Sequence, residues 1–144
     1  MVVKITPDNF QAYLAELIRL DQTYFPFPWD DKDWRNLNIE SDYSLYIRLS
    51  NEEIIGFVLY DARQEQGHLL KILVRPGERR SGLAKEIFNN SSAQEDFKSI
   101  YLEVATNNFA AVEFYRGLGF EILVERKKYY SNGQNAYAML LSCD

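Results

Sequence analysis

At 144 residues, 47% hydrophobic and 26% charged, the chain has the size and composition of a single domain, 1–144, with an ordinary core. Sixteen Lys and Arg against 21 Asp and Glu leave a net charge of −5, which argues against a nucleic-acid partner and suits a cationic or amine substrate. The lone Cys143 excludes an internal disulfide and fits a reducing, cytoplasmic setting, and one histidine beside one cysteine makes a transition-metal site a poor expectation.

Neither a signal peptide nor a membrane span is expected, because no basic leader precedes an apolar run and no such run approaches about 18 residues. Val2 to Ile5 is β-like, and Thr6-Pro7 predicts a helix start, with Phe10, Tyr13, Leu14, Leu17 and Ile18 on one apolar face to about Leu20. Tyr24-Phe25-Pro26-Phe27-Pro28-Trp29 cannot continue that helix, since its two prolines remove donors and hold their predecessors extended. It is either a loop whose rings close the core or a wall facing a substrate. Asp30 caps a short second helix carrying Trp34 and Leu37, with Asp33 favourable to the helix dipole.

Alternation of Tyr43, Leu45, Ile47 and Leu49 against Ser44, Tyr46 and Arg48 predicts a half-buried strand. Ser50-Asn51-Glu52 turns into a more buried strand, Ile54 to Tyr60, and a polar turn to Gly67 leads to a third, making an antiparallel meander. His68, alone at the start of that third strand, reads as structural rather than catalytic.

The third strand, Leu69 to Val74, breaks at Pro76-Gly77 and is followed by Leu83, Ala84, Ile87 and Phe88 at helical spacing. This strand, basic turn and helix place unpaired N–H groups at the positive end of a helix dipole, with Gly82 and Ala84 small enough for an anion to approach. Neither a P-loop nor a dinucleotide fingerprint is present. Asn89-Asn90-Ser91-Ser92 are weak helix formers and predict an early end or fraying. Ser99 to Val104 is then a strand parallel to that third strand through a right-handed crossover, and Asn107 to Arg116 a helix closed by Gly117 and Gly119. Phe120 to Val124 and Asn135 to Leu141 form a last hairpin through Tyr129-Tyr130 and the Asn132-Gly133 turn.

Arg79-Arg80-Ser81-Gly82-Leu83-Ala84 resembles the Arg/Gln-x-x-Gly-x-Gly/Ala signature of the GNAT acetyltransferases. Leu102-Glu103-Val104, with Asn108-Phe109-Ala110-Ala111 and Tyr115 ahead of Gly119-Phe120, is similar to their second signature. Phe27-Pro28-Trp29-Asp30 and the stretch from Glu125 to Tyr130 resemble the bacterial ribosomal-protein alanine N-acetyltransferases within that family, and Asn135 stands where that subgroup often has an acidic residue. The resemblance implies a mixed α/β fold: a mostly antiparallel sheet with a central parallel pair, flanked by about four helices.

It further implies acetyl-CoA as co-substrate, no metal, and an amine acceptor such as a protein N-terminus, in a monomer or weak dimer without nucleic acid or membrane. By the same resemblance, Arg79, Arg80, Ser81, Gly82, Leu83 and Ala84 hold the pyrophosphate, and Ile72, Leu73 and Val74 pair with the pantetheine arm. Asn108 contacts that arm or a water. Glu103 is the general base, Tyr115 the general acid, and Phe27, Trp29, Tyr129 and Tyr130 line the acceptor cleft. The residues alone also allow Glu103 as a solvated strand-end carboxylate, Tyr115 as a packed ring and Asn108 as a helix cap. A small-amine acetyltransferase and a non-catalytic acyl-CoA-binding module are the alternatives. Partial burial is expected to bring the Glu103 pKa towards working pH.

Overall fold

The computed structural model describes residues 1–79 and 81–143. Its strands are β1 (Val2–Lys4), β2 (Tyr43–Ser50), β3 (Glu53–Asp61), β4 (Gln66–Val74), β5 (Ser99–Ala105), β6 (Glu121–Arg126) and β7 (Ala136–Ser142). Its helices are α1 (Phe10–Tyr24), α2 (Asp31–Arg35), α3 (Leu83–Ala93) and α4 (Phe109–Gly117). The strands form one sheet in the order β1-β2-β3-β4-β5-β7-β6, antiparallel throughout except for the β4–β5 pair. This is the mixed sheet expected, with its meander and its central parallel pair.

Two apolar clusters occupy the two faces. Alternation along β5 sends Ile100, Leu102 and Val104 to the face covered by α3 and α4, with Ile87, Phe88 and Tyr115. Leu45, Ile47, Phe57 and Leu59 point to the other face, under α1 and α2, with Leu14, Leu17 and Trp34. Helices α1 and α2 cover only the β1–β4 half of that second face. On the uncovered half, β6 is solvent-exposed along its whole length.

Several local expectations are corrected. Helix α1 begins at Phe10 rather than at Thr6-Pro7: Asn9 precedes it and accepts from the Thr6 N–H at 2.8 Å, so residues 7–9 form a turn. It also runs past Leu20 to Tyr24, because Leu20 and Asp21 are buried and extend the packed face. Strand β2 is buried on both faces, since Tyr46 and Ser44 donate to the Glu95 carboxylate, which follows α3.

Helix α3 does not fray at Asn89–Ser92. Ser91 is fully buried, its hydroxyl 2.7 Å from Tyr60 Oη, while Asn90, Ser91 and Ser92 return hydrogen bonds to carbonyls one turn back. Tertiary contact overrides weak propensity there. In α4 the last helical residue is Gly117, and Gly119, at φ +105°, alone takes the left-handed conformation that turns the chain into β6.

Gly56 sets the distance between sheet and α3. A Cβ there would lie 2.7 Å from Ile87 Cδ1 and 2.8 Å from the Leu73 carbonyl oxygen. Gly56→Ala is expected to destabilise the fold by about 1–3 kcal/mol, read as a lower urea midpoint with an unchanged slope.

Candidate active site

Strands β4 and β5 pair over only three residues each, Gln66–His68 with Ser99–Tyr101. Beyond His68 and Tyr101 both strands continue unpaired with one another, to Val74 and Ala105, and a gap opens in the middle of the sheet. At the mouth of the gap Leu70 has no partner on β3, where Lys71 faces Leu59 and Leu69 faces Tyr60. The bulge lies where β4 and β5 part, and beyond it the backbone groups of β4 on the β5 side have no strand partner. The segment from Leu70 to Val74 is therefore an unused sheet edge inside a sheet.

On the α3–α4 face the gap leads into a groove of about 380 Å³ lined by Val74, Arg79, Gly82, Leu83, Ala84 and Phe114, among others. Gly82, at φ +79°, is the residue before the first turn of α3 and lacks any side-chain cap. The N–H groups of that turn are free to meet an anion, and the groove lining sets Arg79 and Lys85 beside Glu78 and Glu113. The Arg79 Nε donates to the Val74 carbonyl at 3.0 Å, and Ser81 Oγ donates to the Glu78 carbonyl at 2.8 Å, so both side chains brace the turn. Arg80 lies outside the described residues. Ile72 and Leu73 sit on the same strand but pack into opposite clusters, Ile72 with the α3–α4 side.

On the other face, β5 presents Tyr101 and Glu103. His68 Nε2 lies 2.8 Å from Glu103 Oε1, and because an ionised carboxylate only accepts, that nitrogen carries the proton. The His68 ring also packs edge-on to Tyr101, whose hydroxyl accepts from Arg126 at 3.1 and 3.3 Å. Burial raises the Glu103 pKa and is the largest influence, but hydrogen bonds from His68 and Tyr101 and the charge of Arg126 outweigh it. The net shift is downward, opposite to the expected rise, and Glu103 is a carboxylate at neutral pH. His68 is the residue that sequence reasoning passed over: only the β4–β5 register, which sets His68 beside Tyr101, brings it to Glu103.

Tyr115 stands on the opposite side of the gap, its ring against Phe114 and Phe120 at 5.4 and 5.7 Å. Its hydroxyl has no partner among the described residues, and no buried side-chain oxygen is left unpaired, so the oxygen is not sealed from solvent. Burial, with a smaller effect of Tyr130, pushes its pKa well above that of an ordinary phenol. Asn108 is the exposed cap of α4, accepting from the Ala111 N–H at 3.3 Å.

The aromatic residues fall into two groups. Phe27 stacks on Tyr130 with ring centroids 5.4 Å apart and planes within 3°, and Tyr130 meets Tyr129 edge-on at 4.9 Å. Burial, then Tyr129 and the Glu103 charge, push the Tyr130 phenol up to about 12. Trp29 packs against Trp34. Asn135 holds the loop that carries both tyrosines, accepting from the Lys128 N–H and donating to Glu125, each at 2.8 Å. An aspartate at 135 would lack the second of these bonds.

A groove at the start of α3 on one face and a carboxylate on the other thus lie on either side of a gap in one sheet. The sequence profile of the Acetyltransferase (GNAT) family matches residues 14–120, and the chain belongs to that family. N-alpha-acetyltransferase 50 of Danio rerio is 28% identical over 145 residues, covering 95% of this chain and 83% of the relative. The fold is similar to that of the ribosomal-protein-S18-alanine N-acetyltransferase from Escherichia coli, with a TM-score of 0.83 and 23% identity, covering 99% of this chain and 92% of that one. It is also similar to Arabidopsis thaliana Naa50 in complex with the bisubstrate analogue CoA-Ac-MVNAL, with a TM-score of 0.76 and 24% identity over 98% of each chain.

Proposed function

We propose that the protein transfers the acetyl group of acetyl-CoA to the N-terminal α-amine of a protein acceptor, with Glu103 as general base and Tyr115 as general acid. The observation that carries this reading is the split between β4 and β5, which has a carboxylate on one side and a phenol on the other. The N-alpha-acetyltransferase relative and the peptide-bearing analogue in the Naa50 structure support an N-terminal acceptor.

The residues of the groove fit a CoA. The first-turn N–H groups of α3 and the basic turn suit the pyrophosphate, and the unpaired edge of β4 offers the amide-bearing arm a strand to pair with. Bound there, acetyl-CoA supplies an activated thioester carbonyl. The acceptor attacks as the neutral amine, and Glu103 accepts, directly or through a water, the proton that the nitrogen sheds as it bonds to the carbonyl carbon, while His68 holds the carboxylate in place. Tyr115 keeps its proton at neutral pH and is the group to give a proton to the departing thiolate. Phe27, Trp29, Tyr129 and Tyr130 wall the acceptor's approach.

The test is free-thiol release from acetyl-CoA with peptides bearing Ala or Ser N-termini, run beside free polyamines and amino acids. Peptide-dependent release is expected. Release with small amines alone would move the assignment to a small-amine acetyltransferase, and CoA binding without release on any acceptor would favour a binding module.

The same assay has an expected pH profile. Because the folded-state pKa of Glu103 lies below its ordinary value, its carboxylate form is retained from neutral pH down to the ordinary carboxylate range. The acid limb of kcat/KM is then set by the acceptor amine, near the α-amine value of about 7.7–8.0. The limb should move when the peptide's amine pKa is changed; a limb that stays fixed would assign the base to another group.

A further inference from the structure

Two charged residues occupy positions that periodicity assigns to the core: Asp21 on α1, which is fully buried, and Lys71 on β4, 5% exposed. Lys71 Nζ donates to Asp21 Oδ1 at 2.9 Å. The other carboxylate oxygen, Oδ2, accepts from Trp34 Nε1 at 2.7 Å and from the Trp29 backbone N–H at 3.0 Å. The ammonium also lies 4.8 Å from the ring centroid of Phe25 and 5.1 Å from that of Trp29. Every partner outside the pair therefore belongs to residues 25–34, the aromatic loop and the short helix after it.

A buried ion pair is a poor device for stability alone, because apolar residues of similar volume hold a core as well. What it adds here is direction. Lys71 immediately follows the bulge residue Leu70 at the mouth of the gap, and its cation anchors a loop with two prolines and no strand or helix of its own. Phe25 and Trp29 are held from below by the ammonium, and Trp29 is held again through its N–H by the carboxylate. Phe27, between them, is presented to Tyr130.

We propose that the Asp21–Lys71 pair positions the Phe25–Trp29 loop against β4 and so fixes the acceptor wall relative to the gap, making both residues positioning residues for acceptor recognition. This rests on the acceptor assignment above. It requires that the two side chains act on the loop and the acceptor while leaving undisturbed both the backbone edge of β4 and the CoA groove, which is lined by Val74, Arg79 and residues of α3 and α4.

The test uses Lys71→Met, Lys71→Arg and the neutral double variant Asp21→Asn/Lys71→Met, in which neither charge is left buried alone. Backbone amide exchange is followed at Phe25, Phe27 and Trp29, with α3 as internal control, alongside KM for peptide and for acetyl-CoA. In the double variant, exchange in the loop should quicken about tenfold or more with α3 unchanged. Its peptide KM should rise about tenfold while the acetyl-CoA KM stays within about twofold. Lys71→Arg, which keeps a cation over both rings, should restore most of the protection.

A folded double variant with wild-type loop exchange and wild-type peptide KM would overturn the proposal. So would equal rises in both KM values, or an Arg variant as loose as the Met variant, since each marks a role in the fold at large. If the wild-type protein acetylates no peptide, the acceptor assignment fails by itself, and the exchange measurement still decides whether the pair holds the loop.

Discussion

Replacing Glu103 with Gln is expected to lower kcat/KM for the acceptor by about 100- to 1,000-fold, roughly 3–4 kcal/mol of barrier, with acetyl-CoA affinity unchanged. Glutamine keeps the shape of the side chain and can still accept from His68, so packing beside β7 is preserved. What is lost is the site that receives the amine's proton. Because the native group is already ionised at neutral pH, the defect should not be repaired by raising the pH over the range in which Glu103 stays charged. Steady-state kinetics with an Ala peptide, together with calorimetric titration of CoA, check both halves. Near-wild-type turnover in Glu103→Gln would remove the carboxylate from the mechanism and leave it as a partner of His68.

Tyr115→Phe removes one oxygen from a ring that stays packed between Phe114 and Phe120. The hydroxyl makes no hydrogen bond to the described residues, so its removal leaves no partner unsatisfied and stability should change little. The rate should fall about 100-fold if the phenol assists the departing sulfur, with both KM values preserved. Leaving-group chemistry provides a sharper check. A thioester donor with a more acidic thiol needs less help in departing, so the gap between Tyr115→Phe and wild type should narrow with such a donor. A loss of equal size with every donor would make Tyr115 a packing residue.

The elements with strong periodicity were legible from the sequence: the β2–β4 meander, the basic turn into α3 and the β5–α4 unit all stand where spacing puts them. Glu103 and Tyr115 were legible as candidates because each belongs to a block of adjacent residues with a recognisable pattern. What spacing did not carry was anything decided by register across strands. His68 is distant in sequence from Glu103 and reads as an isolated ring until the parallel pair is aligned. The downward pKa shift of Glu103 follows from that missed neighbour, since burial taken alone pointed the other way. Asp21 and Lys71 were silent for a related reason: each looks misplaced singly, and only the packing of α1 on β4 makes them a pair. Helix α3 was underestimated because propensity counts Ser91 as weak and does not see the Tyr60 hydroxyl waiting for it.

The solvent-exposed margin strand β6 bears on how the protein tolerates change. Its residues lie outside both apolar clusters, and the loop after it, with Tyr129 and Tyr130, is joined to the rest of the sheet through β7. Exposed substitutions of this kind usually alter stability by no more than about 0.5 kcal/mol. If Tyr129 and Tyr130 face the acceptor as proposed, this margin can accumulate mutations while the gap and the α3 terminus remain intact, Arg126 excepted, since it holds Tyr101 and bears on Glu103. On that proposal, selectivity and foldability draw on different residues, and the range of accepted amines is free to drift faster than the chemistry performed on them.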